Sequence, residues 1–286
     1  MRREEVRDRP EVQRVDDTEQ DHQHQRDGHQ RQAGEHGPCP TDRCGLLPRS
    51  VLRHSTAILS FGTLIRAIVF DFDGLILDTE EPVYRSWLEV YEAHGEELPF
   101  ERWVQIVGST TTGFHPQYHL EERLGRPLPK EVLDRRIGRR TEMILAQQLL
   151  PGVVPHLDAA RERGLKLGVA SSSTVEWVRG HLARLGILER FDCLRCRDDV
   201  THVKPEPDLY LAVLECLGAS PSEAIAIEDS PNGVTAAKRA GMRCVAIPNT
   251  ITAQLDLSHA DLILTSLSEV TLQQLLDRFD SPAGTT

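Results

Sequence analysis

Short apolar runs recur along the chain after residue 64 and alternate with segments whose apolar residues fall at helical spacing. Six runs have the length and apolar character of buried strands: residues 65–71, 165–171, 191–196, 224–228, 243–248 and 261–264. Helices are predicted between them at residues 175–185, 207–217 and 234–240, each followed by a glycine that suits a helix end. This order predicts a doubly wound α/β fold, in which helices cover both faces of a parallel sheet.

One interval interrupts the alternation. Residues 80–150 contain no convincing strand, and their apolar spacing predicts helices at 82–94, 116–124 and 129–149. Pro151-Gly152 is a turn signal where the chain returns to the alternating pattern. We therefore expect a core formed by residues 63–80 and 149–280, with residues 81–148 inserted as a helical cap. Such a cap excludes water from a site and selects the substrate.

The first 62 residues differ in composition from the rest. They carry many charged residues, Gln and His, their acids and bases nearly cancel, and apolar residues are few. We expect a disordered N-terminal extension. A tail and an upstream stretch that is not translated in the cell both remain open, and we favour either over a regulatory arm.

The whole-chain composition limits the partners. A net charge of −11 argues against binding to nucleic acid, while a small phosphorylated metabolite needs only one or two local cations. No apolar run near the N-terminus is long enough for a signal peptide or a membrane span, so we expect a cytoplasmic protein that is not bound to a membrane.

The cysteines predict neither a metal–thiolate site nor a disulfide framework. Cys193 and Cys196 are spaced as Cys-x-x-Cys, but no second Cys or His pair follows at zinc-site spacing, so we expect buried free thiols. Cys39 and Cys44 lie in the polar extension, where a tetrahedral site would lack two ligands.

The most informative motif follows the first predicted strand. Asp71 and Asp73 are separated by one apolar residue and followed by Gly74, which allows a sharp turn. A buried strand has no packing use for these acids, whereas a catalyst can use one carboxylate as nucleophile and the second to move a proton. Asp-Gly is also an ordinary turn signal, and we favour the chemical interpretation.

Three further strand ends carry polar groups. Ser171 and Ser172 precede a predicted helix, where an anion could bind, although simple capping by Ser173 or Thr174 is the alternative. Lys204 follows the third strand and is one of only four lysines in the chain. Glu228 and Asp229 end the fourth strand, and adjacent carboxylates suit Mg²⁺. Because ligands bind beyond the carboxyl ends of parallel strands, these groups predict one site.

Taken together, the four motifs resemble those of the haloacid dehalogenase superfamily. The similarity extends over residues 65–276 and includes Lys204-Pro-Glu-Pro-Asp208 and Glu228-Asp-Ser-Pro-Asn-Gly-Val234. The chain looks most like the branch with a small helical cap, which includes β-phosphoglucomutase and many sugar-phosphate phosphatases. The resemblance implies a Rossmann-like core and a Mg²⁺-dependent phosphatase that acts on a small phosphomonoester, such as a sugar or polyol phosphate, through an aspartyl-phosphate.

The resemblance also implies residue roles. Asp71 would be the nucleophile and Asp73 the general acid and base, while Ser171, Ser172 and Lys204 would bind the phosphoryl oxygens. Asp71, the main-chain carbonyl of Asp73, Asp229 and, directly or through water, Glu228 would hold Mg²⁺.

Three other functions fit the motifs less well. A dehalogenase needs neither Asp73 nor the Glu228-Asp229 pair. A β-phosphoglucomutase carries a histidine where this chain has Val83. It also carries an arginine in the cap loop, which here is residues 108–115 and offers hydroxyls instead. A non-catalytic binding module would have lost a motif residue, and none is missing. The phosphatase therefore ranks first and the mutase second.

The sequence gives the weakest prediction for the cap residues that face the substrate. Thr79, Glu80, Gly108, Thr110 and Thr111 are predicted to face the substrate, and the hydroxyls of the loop would suit a sugar or polyol phosphate. The alternative, equally weighted, is that these hydroxyls only satisfy loop backbone groups. For the oligomeric state we favour a monomer, because a cap must move.

Overall fold

A six-stranded parallel sheet forms the centre of the described part of the chain. The computed structural model describes residues 64–107 and 113–280. Its strands are β1 (Ala67–Phe70), β2 (Lys166–Ala170), β3 (Cys193–Arg195), β4 (Ala224–Glu228), β5 (Arg243–Ala246) and β6 (Leu262–Ile263). They lie in the order β3-β2-β1-β4-β5-β6, and every neighbouring pair is parallel. The predicted doubly wound fold is confirmed, with several strands shorter than predicted because pairing stops where neighbouring strands no longer overlap.

The two faces of the sheet use alternate residues of each strand. Ile68 and Phe70 of β1 point into a core with α5 (Val153–Glu162), α6 (Val175–Arg184) and α9 (Leu272–Asp280). Ala67 and Val69 point to the opposite face, which is covered by α7 (Asp208–Leu217) and α8 (Pro231–Arg239). This alternation follows from the two-residue period of a strand, and β4 repeats it with isoleucines on one face and alanines on the other.

Two of these helices, α5 and α9, have no counterpart in the sequence prediction. Pro155 in the sequence of α5 favours a loop interpretation, but proline is tolerated in the first turn of a helix. Gly152 precedes this helix with φ of 90°, and a Cβ on it would lie 2.5 Å from the backbone of Leu267. The predicted return hinge therefore sits where only glycine fits.

A helical segment connects β1 to α5. It comprises α1 (Glu80–Ala93), α2 (Phe100–Val104), α3 (Pro116–Leu124) and α4 (Lys130–Ala146), of which α2 was not predicted. The segment has its own apolar cluster, with Tyr91 and Leu120 fully buried. Ile251, from the loop after β5, packs into the same cluster and ties the segment to the sheet side of the molecule. The division of the chain at residues 81 and 148 stays a prediction.

One cysteine prediction is wrong. Cys193 of β3 forms a disulfide with Cys216 in the last turn of α7. The sequence predicted a buried free thiol at Cys193, whereas the packing of α7 against β3 brings Cys216 within bonding distance. Cys196 is a buried free thiol, as predicted.

Several predictions fall outside the described residues: those on residues 1–62 with Cys39 and Cys44, and those on Gly108, Thr110 and Thr111. Within residues 64–107 and 113–280, none of the helices is long and apolar enough to cross a membrane.

Candidate active site

The carboxyl end of β1 places the first acidic motif at the centre of the sheet edge. The Asp71 amide donates a hydrogen bond to the carbonyl of Ile227 at 2.9 Å, which continues the pairing of β1 with β4 one residue beyond the end of β1. The chain then turns at Gly74, whose φ is 79°. A Cβ at Gly74 would lie 2.3 Å from Oδ2 of Asp229, so only glycine lets the turn approach the second acidic motif.

Lys204 connects the two acidic motifs. Its Nζ donates a short hydrogen bond to Oδ1 of Asp71 and a 2.6 Å hydrogen bond to Oε1 of Glu228, and all three side chains are buried. The same Glu228 oxygen accepts a 2.5 Å hydrogen bond from the hydroxyl of Tyr210 on α7. Glu228 is thus held by a cation and a phenol, and it holds the lysine against Asp71 in turn.

Glycine is again required beside this group. A Cβ at Gly233 would lie 2.0 Å from the carboxylate of Glu228, so the start of α8 approaches the glutamate as closely as a backbone can.

The buried carboxylates resist ionisation. Burial raises the pKa of Asp71 to about 7; Lys204 opposes this shift, and the charges of Glu228 and Asp73 add to it. Burial also raises the pKa of Asp229 well above its usual value, and Asp71 and Glu228 raise it further. For Lys204, burial alone would lower the pKa, but Asp71 and Glu228 outweigh it and raise the pKa. One lysine therefore does not neutralise the cluster.

This donor set fits a divalent cation. One oxygen each from Asp71, Glu228 and Asp229 lie within 4.8 Å of one another. Asp229 accepts a 2.8 Å hydrogen bond from Nδ2 of Asn249, but it forms no ion pair within the described residues. An all-oxygen set with excess negative charge suits Mg²⁺.

Asp73 has a different environment from Asp71. Its Oδ1 accepts hydrogen bonds from the Thr79 hydroxyl and from Nε1 of Trp177, each at 3.0 Å. Its Oδ2 accepts from the hydroxyls of Ser173 at 2.7 Å and Ser171 at 3.4 Å. Neutral donors thus surround this carboxylate, whereas the carboxylate of Asp71 contacts a cation.

The serines after β2 divide their roles. Ser171 is buried and its hydroxyl also accepts from the amide of Ser173 at 3.0 Å. Ser172 contacts Arg197 through its carbonyl, which accepts from Nε at 3.1 Å. Thr174 caps α6, its hydroxyl accepting from the amide of Trp177 at 3.3 Å. Ser173 therefore does not cap the helix but binds Asp73.

Two of the predicted substrate-facing residues lie at the start of the helical segment. Thr79 is buried and bonded to Asp73. Burial raises the pKa of Glu80 to about 8, and the negative charges of Asp73, Asp78 and Asp71 raise it further.

Four residues that contact the site were not predicted: Ser173 as a partner of Asp73, Trp177, Tyr210 and Asn249. Tyr210 follows the Lys204 motif by two residues, which could have pointed to it. Trp177 and Asn249 carry no local signal, because each reaches the acidic motifs from a different element of the fold.

Comparison with known proteins gives concordant matches. A model of the haloacid dehalogenase-like hydrolase family matches residues 65–241. The Bacillus subtilis (strain 168) protein YhcW is 45% identical over 219 residues, covering 76% of this chain and 99% of YhcW. Hexitol phosphatase B of Escherichia coli (strain K12) is 32% identical over 216 residues, covering 74% of this chain and 97% of that protein. The crystal structure of CbbY from Rhodobacter sphaeroides in complex with phosphate has a TM-score of 0.55 and 32% identity, covering 72% of this chain and 96% of CbbY.

Proposed function

Because the chain belongs to the haloacid dehalogenase-like hydrolases, we propose that it is a Mg²⁺-dependent phosphatase that hydrolyses a small sugar or polyol phosphate through an aspartyl-phosphate. The observation that carries the proposal is the contact of Lys204 with Asp71 at the strand ends, with Asp73 two residues further along the chain. It provides a nucleophile, a cation for the phosphoryl group and a second carboxylate for the proton.

In the first step an oxygen of Asp71 attacks phosphorus, and the bond to the ester oxygen breaks. Asp73 protonates the departing oxygen, so that the alcohol leaves neutral. In the second step Asp73 takes a proton from water, the water oxygen attacks phosphorus, and the carboxylate of Asp71 is released with phosphate.

Charge explains why the remaining groups are needed. A phosphate dianion approaching a carboxylate is repelled, and Lys204 offsets that repulsion. Ser171 and Ser172 lie at the mouth of β2, where a hydroxyl and backbone amides can bind phosphoryl oxygens. Lys204 offsets the repulsion while its ammonium group is hydrogen-bonded to Glu228, so that group stays in position when the substrate leaves.

Asp71, Asp229 and the main-chain carbonyl of Asp73 would hold Mg²⁺, with Glu228 as a direct or water-mediated neighbour. When bound, Mg²⁺ supplies further positive charge to the phosphoryl oxygens. The raised pKa values of Asp71 and Asp229 support this assignment, because the cluster has more carboxylates than its lysine can neutralise.

The substrate class rests on two sources. One relative named as a hexitol phosphatase aligns with 74% of this chain, and the predicted cap loop is rich in hydroxyls. Thr79 and Glu80 lie where the helical segment begins, so we expect them to face the substrate beside Gly108, Thr110 and Thr111. The predicted cytoplasmic location and monomeric state stay predictions.

Phosphate release from a panel of phosphomonoesters tests the proposal. The panel includes hexose, pentose and polyol phosphates, nucleotides and β-glucose 1-phosphate, each with and without Mg²⁺. We expect Mg²⁺-dependent release that falls at least about 10⁴-fold in Asp71→Asn, with the circular dichroism spectrum unchanged. Retained activity in this variant would contradict the mechanism, and conversion of β-glucose 1-phosphate to glucose 6-phosphate faster than hydrolysis would favour the mutase.

Metal binding can be tested without turnover. In the metal-free protein the folded-state pKa values of Asp71 and Glu80, about 7 and about 8, exceed those of the unfolded chain. The folded state therefore holds more protons between about pH 4 and about pH 8, and its stability falls as pH rises through this window. Mg²⁺ binds the ionised carboxylates, so we expect it to raise the melting temperature more at about pH 8 than at about pH 5.

Asp229→Asn should lose most of this Mg²⁺-dependent increase. Asp134→Asn, at an exposed aspartate of α4 that pairs with Lys130, should keep it. An equal Mg²⁺ effect in both variants would place the metal elsewhere.

A further inference from the structure

The indole of Trp177 contacts the proposed acid–base residue directly. We infer that Trp177 is a positioning residue, which holds the carboxylate of Asp73 through its Nε1–H. The inference rests on the proposed function, since it assigns Trp177 a part in the proton transfers made by Asp73. Nothing in the acidic motif itself points to this residue, which lies 104 positions further along the chain.

Local structure at the start of α6 fixes the backbone of Trp177. Thr174 caps the helix through the Trp177 amide, which places the tryptophan in the first turn. From there its indole reaches back toward the end of β1, and Nε1 lies 3.0 Å from Oδ1 of Asp73.

Packing fixes the ring. His181, one turn further along α6, is buried and packs edge-on against the indole with 4.3 Å between ring centroids. Phe72, between the two motif aspartates, lies 6.2 Å from the ring of His181. The indole is therefore held between its own helix and the strand end that carries Asp73.

The four donors to Asp73 differ in the freedom of their hydrogens. Ser171, Ser173 and Thr79 donate through hydroxyl groups, whose hydrogens rotate to suit the acceptor. The indole N–H has one fixed direction once the ring is packed. Trp177 is thus the donor that sets where Oδ1 must lie, and the hydroxyls can adjust to that position.

This geometry predicts an effect on the chemical steps rather than on binding. Among the described contacts the indole of Trp177 donates to Asp73, whereas Lys204 donates to Asp71 and Glu228. Loss of the indole N–H would let the Asp73 carboxylate leave the proton-transfer position while Lys204, which is held by Asp71 and Glu228, stays in place.

Kinetics of Trp177→Phe test this inference. Phenylalanine keeps an aromatic ring against His181 and removes the N–H. We expect kcat to fall about 10-fold to 100-fold, as for the loss of one hydrogen bond to a charged group, with KM changed less than about threefold. Trp103→Phe is the matched control, because the buried Nε1 of Trp103 has no hydrogen-bond partner among the described residues. It should keep the wild-type kcat. The inference would be overturned if Trp177→Phe kept the wild-type kcat, or if its kcat/KM fell only because KM rose.

A spectroscopic measurement separates this inference from the proposed function. The chain has three tryptophans, so a ¹H–¹⁵N spectrum of the metal-free protein should show three indole N–H signals. Trp177→Phe identifies one of them by its disappearance. We expect Asp73→Asn and Asp73→Ala to shift that signal and to leave the signal lost in Trp103→Phe in place.

An unmoved Trp177 signal in both Asp73 variants would refute the contact. If the proposed function were wrong, the signal would still shift but no variant would release phosphate. If only the positioning role were wrong, the signal would shift while Trp177→Phe kept its activity.

Discussion

The carboxyl edge of the sheet and the helical segment α1–α4 each bury a tyrosine, but they use it differently. Tyr210, at the sheet edge, donates to the buried carboxylate of Glu228, which also binds Lys204. Tyr91, in the helical segment, donates to the carbonyl of Pro116 at 2.7 Å and meets Nδ1 of His119 at 2.9 Å. The first hydroxyl orients a charge, and the second satisfies a backbone group.

The two regions also differ in whether their charged side chains are buried. At the sheet edge Asp71, Lys204, Glu228 and Asp229 are all buried. Ion pairs of the helical segment, such as Arg85 with Glu81, are largely exposed. Burying several carboxylates around one cation costs stability, and the exposed ion pairs of the helical segment avoid that cost. The comparison identifies the sheet edge as the place where stability is given up for chemistry.

The largest expected effect tests the buried charges. Lys204→Met leaves Asp71 and Glu228 without their shared cation, and we expect a loss of roughly 3–5 kcal/mol in the free energy of unfolding, together with loss of phosphatase activity. Lys238→Met removes a lysine that pairs with Asp261 at 2.6 Å near the surface, where we expect a loss of only about 0–1 kcal/mol. Urea titration of both variants without Mg²⁺ measures the difference. Equal losses would show that burial of the cluster has no energetic consequence.

A pair of glycines tests how closely the backbone approaches the site. Gly74 and Gly95 have similar φ values, 79° and 71°, so alanine strains both by about 1–2 kcal/mol. At Gly95, which follows α1, an added Cβ meets no atom within 4 Å, whereas at Gly74 it would meet Asp229. We expect Gly95→Ala to lose only stability, and Gly74→Ala to lose more stability as well as activity and Mg²⁺ affinity. Normal kinetics in Gly74→Ala would contradict the requirement for glycine.

The smallest expected difference within a pair is that between the two tyrosines. Tyr210→Phe removes a donor from a charged group, and we expect a loss of about 1.5–3 kcal/mol and a reduced kcat. Tyr91→Phe removes a donor from a neutral carbonyl, and we expect a loss of about 0.5–1.5 kcal/mol with kcat unchanged. Thermal melts and steady-state rates of the two variants separate the two roles. A reduced kcat in Tyr91→Phe would show that the helical segment also contributes to the chemistry.

The sequence predicted features that depend on neighbouring residues better than contacts between residues far apart in the chain. All six strands were located, and β4 was predicted with its observed bounds, because a buried strand carries its signal in its own residues. The five-residue helix α2 was missed, since so short a helix carries little periodic signal.

The polar groups at the strand ends were likewise predictable from local sequence. Asp71, Ser171, Lys204, Glu228 and Asp229 could be assigned to one site without coordinates, since parallel strands present their carboxyl ends at one edge. The residues that orient them could not. Asn249 reaches Asp229 from a loop beyond β5, and Cys216 was not recognised as the partner of Cys193.

The sequence by itself therefore determined the strands of the sheet and the charged groups that follow each strand. Both depend on the local period of apolar residues and on the residues at the strand ends. Only the tertiary structure decided that Glu228 holds Lys204, that Tyr210 holds Glu228 and that Trp177 holds Asp73. Such contacts depend on how helices pack against the sheet, and a side chain that turns toward the site leaves no periodic trace in the chain.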